Sequence, residues 1–214
     1  MSQIYAIGDI HGCLGHLKRL MAKVRPDLDH HKLIFIGDYI DRGPNSRGVV
    51  DYLINLKNNY PPEHIIFLMG NHERMFLDFL QGENQLLFLI NGGRSTLESY
   101  WGKDWRNHPW RLPPDHEEFF QQLQMIYETE DYIFVHGGLK PGIPLAEQQE
   151  DDVLWIREEF LSCLDDFGKR VIFGHTPFPK PFIWPNKIGI DTGAVYGNYL
   201  TCIKLPEEIF YWSR

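Results

Sequence analysis

Five short apolar runs along the chain each stop at a glycine or at a residue able to do chemistry. Ile4-Tyr5-Ala6-Ile7 runs into Gly8-Asp9, Leu33-Ile34-Phe35-Ile36 into Gly37-Asp38, and Ile65-Ile66-Phe67-Leu68-Met69 into Gly70-Asn71. Tyr132-Ile133-Phe134-Val135 stops at His136, and Val171-Ile172-Phe173 at Gly174-His175. Continuous runs this short, rich in β-branched and aromatic side chains, predict buried strands. Between the early runs the apolar spacing turns helical. Leu14, Leu17, Met21 and Val24 share a face that ends before Pro26. Val49, Val50, Leu53, Ile54 and Leu56 do the same before Pro61-Pro62, and Met75, Phe76, Phe79 and Leu80 follow the third run. Strand–helix alternation predicts an α/β fold with a largely parallel sheet. Ligands gather at the carboxyl ends of such strands. All five polar stops lie at those ends, so residues far apart in sequence can meet there.

Two stretches break the alternation. Gly82–His116 has weak periodicity, three tryptophans (Trp101, Trp105, Trp110) and the pair Pro113-Pro114. It is expected to be an insertion, at about residues 82–116 of a single domain spanning 1–214, packing near the site entrance. From Lys187 to Trp212 the pattern is strands and turns. Ile188-Gly189-Ile190, Leu200–Ile203 and Ile209–Trp212 are expected to form a second sheet, leaning antiparallel.

Composition narrows the class. With 214 residues and 43% hydrophobic side chains the chain can bury a core without staples. The formal net charge of −8 denies it the broad basic footprint of a nucleic-acid binder. Its 3 cysteines are too few and scattered for a disulfide framework, which points to a reducing compartment. The Met1-Ser2-Gln3-Ile4 start has no leader pattern, and no apolar run reaches the roughly 17–25 residues a membrane span needs. A cytoplasmic protein with no membrane or nucleic-acid partner is expected.

The chemistry sits in five clusters. In Gly8-Asp9-Ile10-His11-Gly12 the Asp and His, two apart at a strand end, point the same way and can share a metal. Gly37-Asp38-Tyr39-Ile40-Asp41-Arg42-Gly43 offers a carboxylate able to bridge two cations and a guanidinium able to grip phosphate oxygens. Gly70-Asn71-His72-Glu73 offers a neutral oxygen ligand beside a proton donor, although Asn71 could equally cap the helix that follows. His136-Gly137-Gly138 and Gly174-His175-Thr176 each set an imidazole at a strand end. Singly, each is as easily a satisfied loop or core group. Together, Asp9, His11, Asp38, Asn71, His136 and His175 are six oxygen and nitrogen donors without a thiolate. That set suits two adjacent Mn, Fe or Zn ions, the arrangement that clamps an in-line displacement at phosphorus.

The ordered motifs resemble the calcineurin-like metallophosphoesterases, and within them the PPP-type phosphatases of bacteria and phage. The resemblance runs from Gly8 to Thr176. It implies a metallo-dependent phosphatase fold, α/β, with two central mixed β-sheets flanked by helices in an αββα sandwich. It implies two divalent ions, manganese above all: Asp9 and His11 on the first, Asp38 bridging, Asn71, His136 and His175 on the second. A bridging water or hydroxide attacks phosphorus directly. His72 protonates the leaving group, oriented by Asp41, and Arg42 binds phosphate oxygens. The chain departs from the eukaryotic pattern at Met69, where those enzymes commonly carry arginine. Arg157 is the candidate replacement, against an ordinary exposed helix arginine. Asn91-Gly92-Gly93 resembles a segment near the site in bacterial and phage relatives, which makes Asn91 a candidate substrate contact. Asp191-Thr192-Gly193 follows an apolar run and could support the site from behind, but reads first as a turn.

The function expected is phosphomonoester hydrolysis on a phosphoprotein or a phosphorylated small molecule. The alternative is a symmetrical diadenosine tetraphosphate hydrolase, a sister family with the same site motifs. There Trp101, Trp105 or Trp110 could stack an adenine, unless they are core. Asp commonly follows the Gly-Asn-His motif in those hydrolases, whereas Glu73 stands here. A non-catalytic scaffold predicts lost ligands, and none is missing.

Overall fold

A computed structural model describes residues 3–214; Met1 and Ser2, on which the expectation of no leader partly rests, lie outside the described residues. All five early runs are strands: β1 (Ile4–Ile7), β2 (Lys32–Phe35), β3 (Ile65–Phe67), and, after a short β4 (Ile126–Glu128), β5 (Tyr132–Val135) and β6 (Arg170–Phe173). β7 (Phe182–Ile183), β8 (Lys187–Gly189), β9 (Thr201–Leu205) and β10 (Ile209–Trp212) complete two five-stranded mixed sheets, in the orders β10-β9-β1-β2-β3 and β4-β5-β6-β8-β7. In the first sheet β1, β2 and β3 are parallel; in the second, β5, β6 and β8 are.

The C-terminal strands do not form a sheet of their own. β9 pairs antiparallel with β1, and β10 with β9, while β8 runs parallel beside β6. Each apolar strand satisfies its backbone on the nearest open edge, and two edges are available.

Helices α1 (Leu14–Val24), α2 (Ser46–Asn59), α3 (Asn71–Leu80), α4 (Gln85–Phe88), α5 (Arg94–Trp101) and α6 (Pro114–Gln121) are followed, beyond β5, by α7 (Glu150–Trp155) and α8 (Glu158–Leu161). α1 ends where Arg25 turns left-handed ahead of Pro26, and α2 starts on Asn45, whose side chain accepts the Gly48 N–H. Both ends follow from local chemistry.

Period-two alternation then sorts the strand residues between layers. Ala6, Ile34, Ile66, Phe134, Ile172 and Ile203 form the seam between the sheets. Tyr5, Ile7, Leu33 and Phe35 point the other way, into the helices that cover the first sheet. Ile133, Val135, Val171 and Phe173 do the same on the second sheet, against Val153, Leu154 and Phe160. The layers are therefore helix, sheet, sheet, helix. Among the described residues no helix is long and apolar enough to cross a membrane.

The tryptophans of the 82–116 segment belong to the core or pack on its edge. Trp105 is buried, and Trp101 and Trp110 pack against the same cluster, Trp110 with its ring 4.7 Å from Phe79. Phe76 of α3 is the hub, with ring centroids 5.4 Å from Phe88, 5.5 Å from Phe120 and 6.0 Å from Tyr100. Truncating a buried aromatic costs about 3–5 kcal/mol. Phe76→Ala is therefore expected to lower unfolding stability by that amount in urea titration. A loss below about 1 kcal/mol would mean that the segment is anchored elsewhere.

Candidate active site

The strand ends bring the predicted residues together. Asp9 and His11 follow β1, Asp38 follows β2, Asn71 and His72 open α3 just past β3, His136 follows β5 and His175 follows β6. Asp9, His11, Asp38, Asp41, Asn71, His72, His136 and His175 are all buried. Five site residues, His11, Asp38, Asp41, Arg42 and His175, hold the left-handed backbone that side chains disfavour. Each such residue costs on the order of 1–3 kcal/mol, and strain of this kind persists only where the surroundings dictate it.

Asp38 is the centre. Its Oδ2 lies 3.4 Å from His11 Nε2 and 3.9 Å from His72 Nε2, and its Oδ1 lies 3.4 Å from His136 Nε2. It belongs to both groups of ligand atoms close enough to share a cation: His11, Asp38 and His72; and Asp38, His136 and His175. Burial alone would raise its carboxyl, but the imidazoles of His136, His72, His11 and His175 hold it below the usual range.

The donor set fits cations. His136 Nδ1–H donates to the Ile36 carbonyl at 2.9 Å, so Nε2 presents a lone pair, and that lone pair faces Asn71 Oδ1 at 2.9 Å. His175 Nδ1 lies 3.0 Å from the same oxygen, and its Nε2 is buried without a hydrogen-bond partner. Burial drives His11 down to about 3 and His175 to about 2, and lowers His136, so these rings are neutral at pH 7. The His136 Nε2 lone pair and the Asn71 carbonyl oxygen are both acceptors, and a cation between them would reconcile their approach. Two metal bonds of about 2.1 Å at right angles place their ligand atoms about 3 Å apart. The His11 ring is fixed in the same way, its Nδ1–H donating to the Ile40 carbonyl at 2.8 Å, which leaves Nε2 with a lone pair for a cation.

Asp9 stands slightly aside. Its carboxylate accepts the His175 N–H at 3.0 and 3.3 Å and belongs to neither three-residue group. Burial and the carboxylates of Asp191 and Asp38 push it well above the usual value. Asp191 itself is pushed up to about 6 by burial. It caps its turn by accepting the Gly193 N–H at 2.9 Å, as a turn should, but it also faces the site. A Cβ on Gly174 would sit 2.2 Å from Asp9 Oδ1, so no larger residue lets β6 approach this closely.

His72 and Asp41 form a pair: His72 Nδ1–H donates to Asp41 Oδ2 at 2.6 Å, leaving Nε2 toward Asp38. Arg42 lies across from them, its Nη1 2.6 Å from His11 Nε2, braced by its own N–H on the Gly92 carbonyl at 3.2 Å. Asn91 is not drawn into this cluster; its amide donates to the Leu87 carbonyl at 2.9 Å. Asn91's turn serves the site through Gly92. Met69 is buried in the apolar layer of the second sheet, so no cation stands there. Arg157 is exposed just ahead of α8 rather than within a helix, and donates to Thr176 Oγ1 at 3.3 Å. Its charge reaches His136, His175 and Asp191. Buried Lys187 secures that region by donating to the Phe160 carbonyl and, at 2.7 Å, to the Cys163 carbonyl.

Asn71 does not cap α3. Gly70 is the cap, and Glu73 closes the turn by accepting the Gly70 N–H at 3.0 Å. Sequence reasoning uses Glu73 only to compare families, yet it holds the metal loop. Its oxygens accept the N–H groups of Asp38 at 2.9 Å and Tyr39 at 2.8 Å. Its position three residues after a glycine at a helix start is the available signal. Trp155, with its ring edge-on to His175 at 6.0 Å, is also missed by the motifs.

Fold and site together define a metal-dependent phosphoesterase. The calcineurin-like phosphoesterase profile matches residues 2–197, and the chain belongs to that family. It is 31% identical to serine/threonine-protein phosphatase 1 of Salmonella typhimurium, over 94% of this chain and 91% of that protein. It is 25% identical to the asymmetrical bis(5'-nucleosyl)-tetraphosphatase PrpE of Oceanobacillus iheyensis, over 97% and 90%. A solved structure provisionally assigned as a diadenosine tetraphosphatase matches with a TM-score of 0.77 at 24% identity, covering 99% of this chain and 92% of that one; at that identity it attests the fold alone.

Glu73→Gln replaces an acceptor oxygen by a donor facing backbone N–H groups. Leaving such groups unsatisfied costs about 1–3 kcal/mol each. The variant is expected to lose roughly 2–4 kcal/mol in denaturant unfolding. Unchanged stability would show that the loop at Asp38 does not depend on this carboxylate.

Proposed function

We propose that the chain is a phosphomonoesterase acting on phosphoprotein, and that the hydrogen-bonded pair of Asp41 and His72 beside Asp38 is the feature that carries this reading. When bound, two divalent cations, manganese in the first instance, lower the pKa of a water to supply the nucleophile and offset charge on the phosphoryl oxygens. Asp9, His11 and Asp38 are assigned to one ion, and Asp38, Asn71, His136 and His175 to the other. Arg42 binds two phosphate oxygens, with Arg157 as a second cation at the rim in place of the one Met69 lacks.

His72 supplies the proton. As the P–O bond breaks, the Nε2 proton passes to the departing oxygen, giving an alcohol and inorganic phosphate. The other proton stays on His72 Nδ1, donated to Asp41 Oδ2, and that carboxylate stabilises the imidazolium before transfer. Serine and threonine alkoxides are poor leaving groups and need this proton; a nucleoside polyphosphate leaving group needs it far less. Trp105 is buried and Trp101 and Trp110 pack against the same core cluster, which supports the phosphoprotein reading over one that stacks an adenine on this segment. The tetraphosphatase relatives keep that second reading open, in the asymmetrical rather than the symmetrical form.

Products decide between them. After metal removal and Mn²⁺ addition, a phosphopeptide panel is expected to release inorganic phosphate while diadenosine tetraphosphate persists. Conversion of the dinucleotide to ATP and AMP, with peptides untouched, would replace the phosphatase reading. His72→Asn is expected to cut kcat on a phosphoserine peptide by roughly 100-fold with metal content retained. Turnover of p-nitrophenyl phosphate, whose leaving group departs unprotonated, is expected to fall less than about tenfold. Equal losses on both would remove the acid role.

A further inference from the structure

We infer that Thr96 is a positioning residue for the proton transfer, holding Asp41 so that its second carboxylate oxygen aligns His72; this rests on the phosphomonoesterase reading above. Thr96 lies on α5, within the 82–116 segment and far in sequence from every strand-end motif. It is fully buried. Its hydroxyl donates to Asp41 Oδ1 at 2.5 Å, and its oxygen accepts the Asp41 N–H at 2.9 Å. A hydroxyl has one proton. Since that proton goes to the carboxylate, the buried Ser46 hydroxyl, 2.9 Å away, donates to Thr96 Oγ1. Ser46 Oγ also takes a share of the Asp41 N–H at 3.1 Å.

The hydrogen bonds form a chain with one direction: Ser46 to Thr96, Thr96 to Asp41 Oδ1, and His72 Nδ1–H to Asp41 Oδ2. Each Asp41 oxygen thus has its own donor, one from the segment and one from the acid. The Asp41 backbone is left-handed, with φ of 70°, a conformation that needs external support in a non-glycine residue. Thr96 supplies support at both ends, gripping the N–H and the carboxylate of the same residue. Without its hydroxyl, Oδ1 loses its donor in a site closed to water. The carboxylate can then rotate, and the imidazole loses the orientation in which Nε2 faces the leaving oxygen. The segment is therefore part of the proton-transfer machinery, and the reason is one threonine.

The test uses the metal-loaded full chain and two substrates. Thr96→Val keeps the shape and removes the hydroxyl. It is expected to lower kcat on a phosphoserine peptide about tenfold or more, with KM within about twofold and p-nitrophenyl phosphate turnover within about threefold. Thr96→Ser is expected to recover to within about threefold of the unaltered chain. Adding Thr96→Val to His72→Asn is expected to cause no further loss on the peptide, because the two act through one step. Equal losses on both substrates, no loss, or failure of serine to recover would overturn the inference. If thermal melting shows that the valine variant does not fold, Ser46→Ala takes its place. It weakens the same chain one link earlier and must show the same substrate asymmetry in smaller degree; its absence overturns the inference. If His72→Asn shows the asymmetry and the Thr96 variants do not, this inference falls alone. If the unaltered chain releases phosphate from neither substrate, the phosphomonoesterase reading falls with it.

Discussion

The structure is organised around one electrostatic constraint: a buried carboxylate, Asp38, ringed by imidazoles and further carboxylates with little water to separate them. Lone pairs of Asp38, Asn71, His136 and His175 approach one another to about hydrogen-bond distance without protons enough to go round. Such a cluster is costly unless cations complete it. That cost explains the strain around it. Five residues in left-handed backbone, and glycines where a methyl group would collide with Asp9 or Asp38, are tolerated because they bring charged groups to one point. The sandwich supplies the rigidity. Parallel strands from both sheets end at the same level, and their seam of isoleucines, Leu68 and Phe134 holds the ends in register.

Two buried side chains carry the constraint outward. Glu73 gathers the N–H groups after β2 and fixes where Asp38 sits. Thr96 and Ser46 fix Asp41 a few residues later. A single loop, residues 37–42, thus carries the proposed metal ligand Asp38, the proposed orienting carboxylate Asp41 and the proposed phosphate-binding Arg42, and is held from α3 on one side and α5 on the other. The aromatic cluster around Phe76 sets the position of α5 relative to α3. Packing far from the phosphate therefore bears on proton transfer.

The chain is similar to proteins named for quite different substrates. This is the expected behaviour of a site grafted on a widely used fold. The attack at phosphorus is common to monoesters and dinucleotides, so discrimination falls to the leaving group's need for a proton and to the rim. Here the rim offers Arg157, Trp155 and the exposed ring of Tyr196, 5.7 Å from the Arg42 guanidinium, rather than the tryptophans of the segment.

The metal-ligand candidates are legible in the linear chain because a strand end imposes its own punctuation: an apolar run and then a polar residue, with a glycine between them at every site but His136. Asp9, Asp38, Asn71, His136 and His175 stand out in this way, and the strand–helix alternation carries the fold class. Partnership is not legible in the same way. Whether Ile188 and Ile203 share a sheet, whether Trp105 faces solvent or core, and which residue supports Asp41 depend on contacts between residues distant along the chain. Such contacts leave no period in the sequence. Glu73 and Thr96 are a helix-start glutamate and a helical threonine in the linear pattern. They become part of the site only when folding buries them against backbone N–H groups and a carboxylate oxygen of Asp41. Local chemistry sets the type of each element and the character of each strand end. Which buried polar group satisfies which is decided by packing, because that balance exists only once water has been excluded.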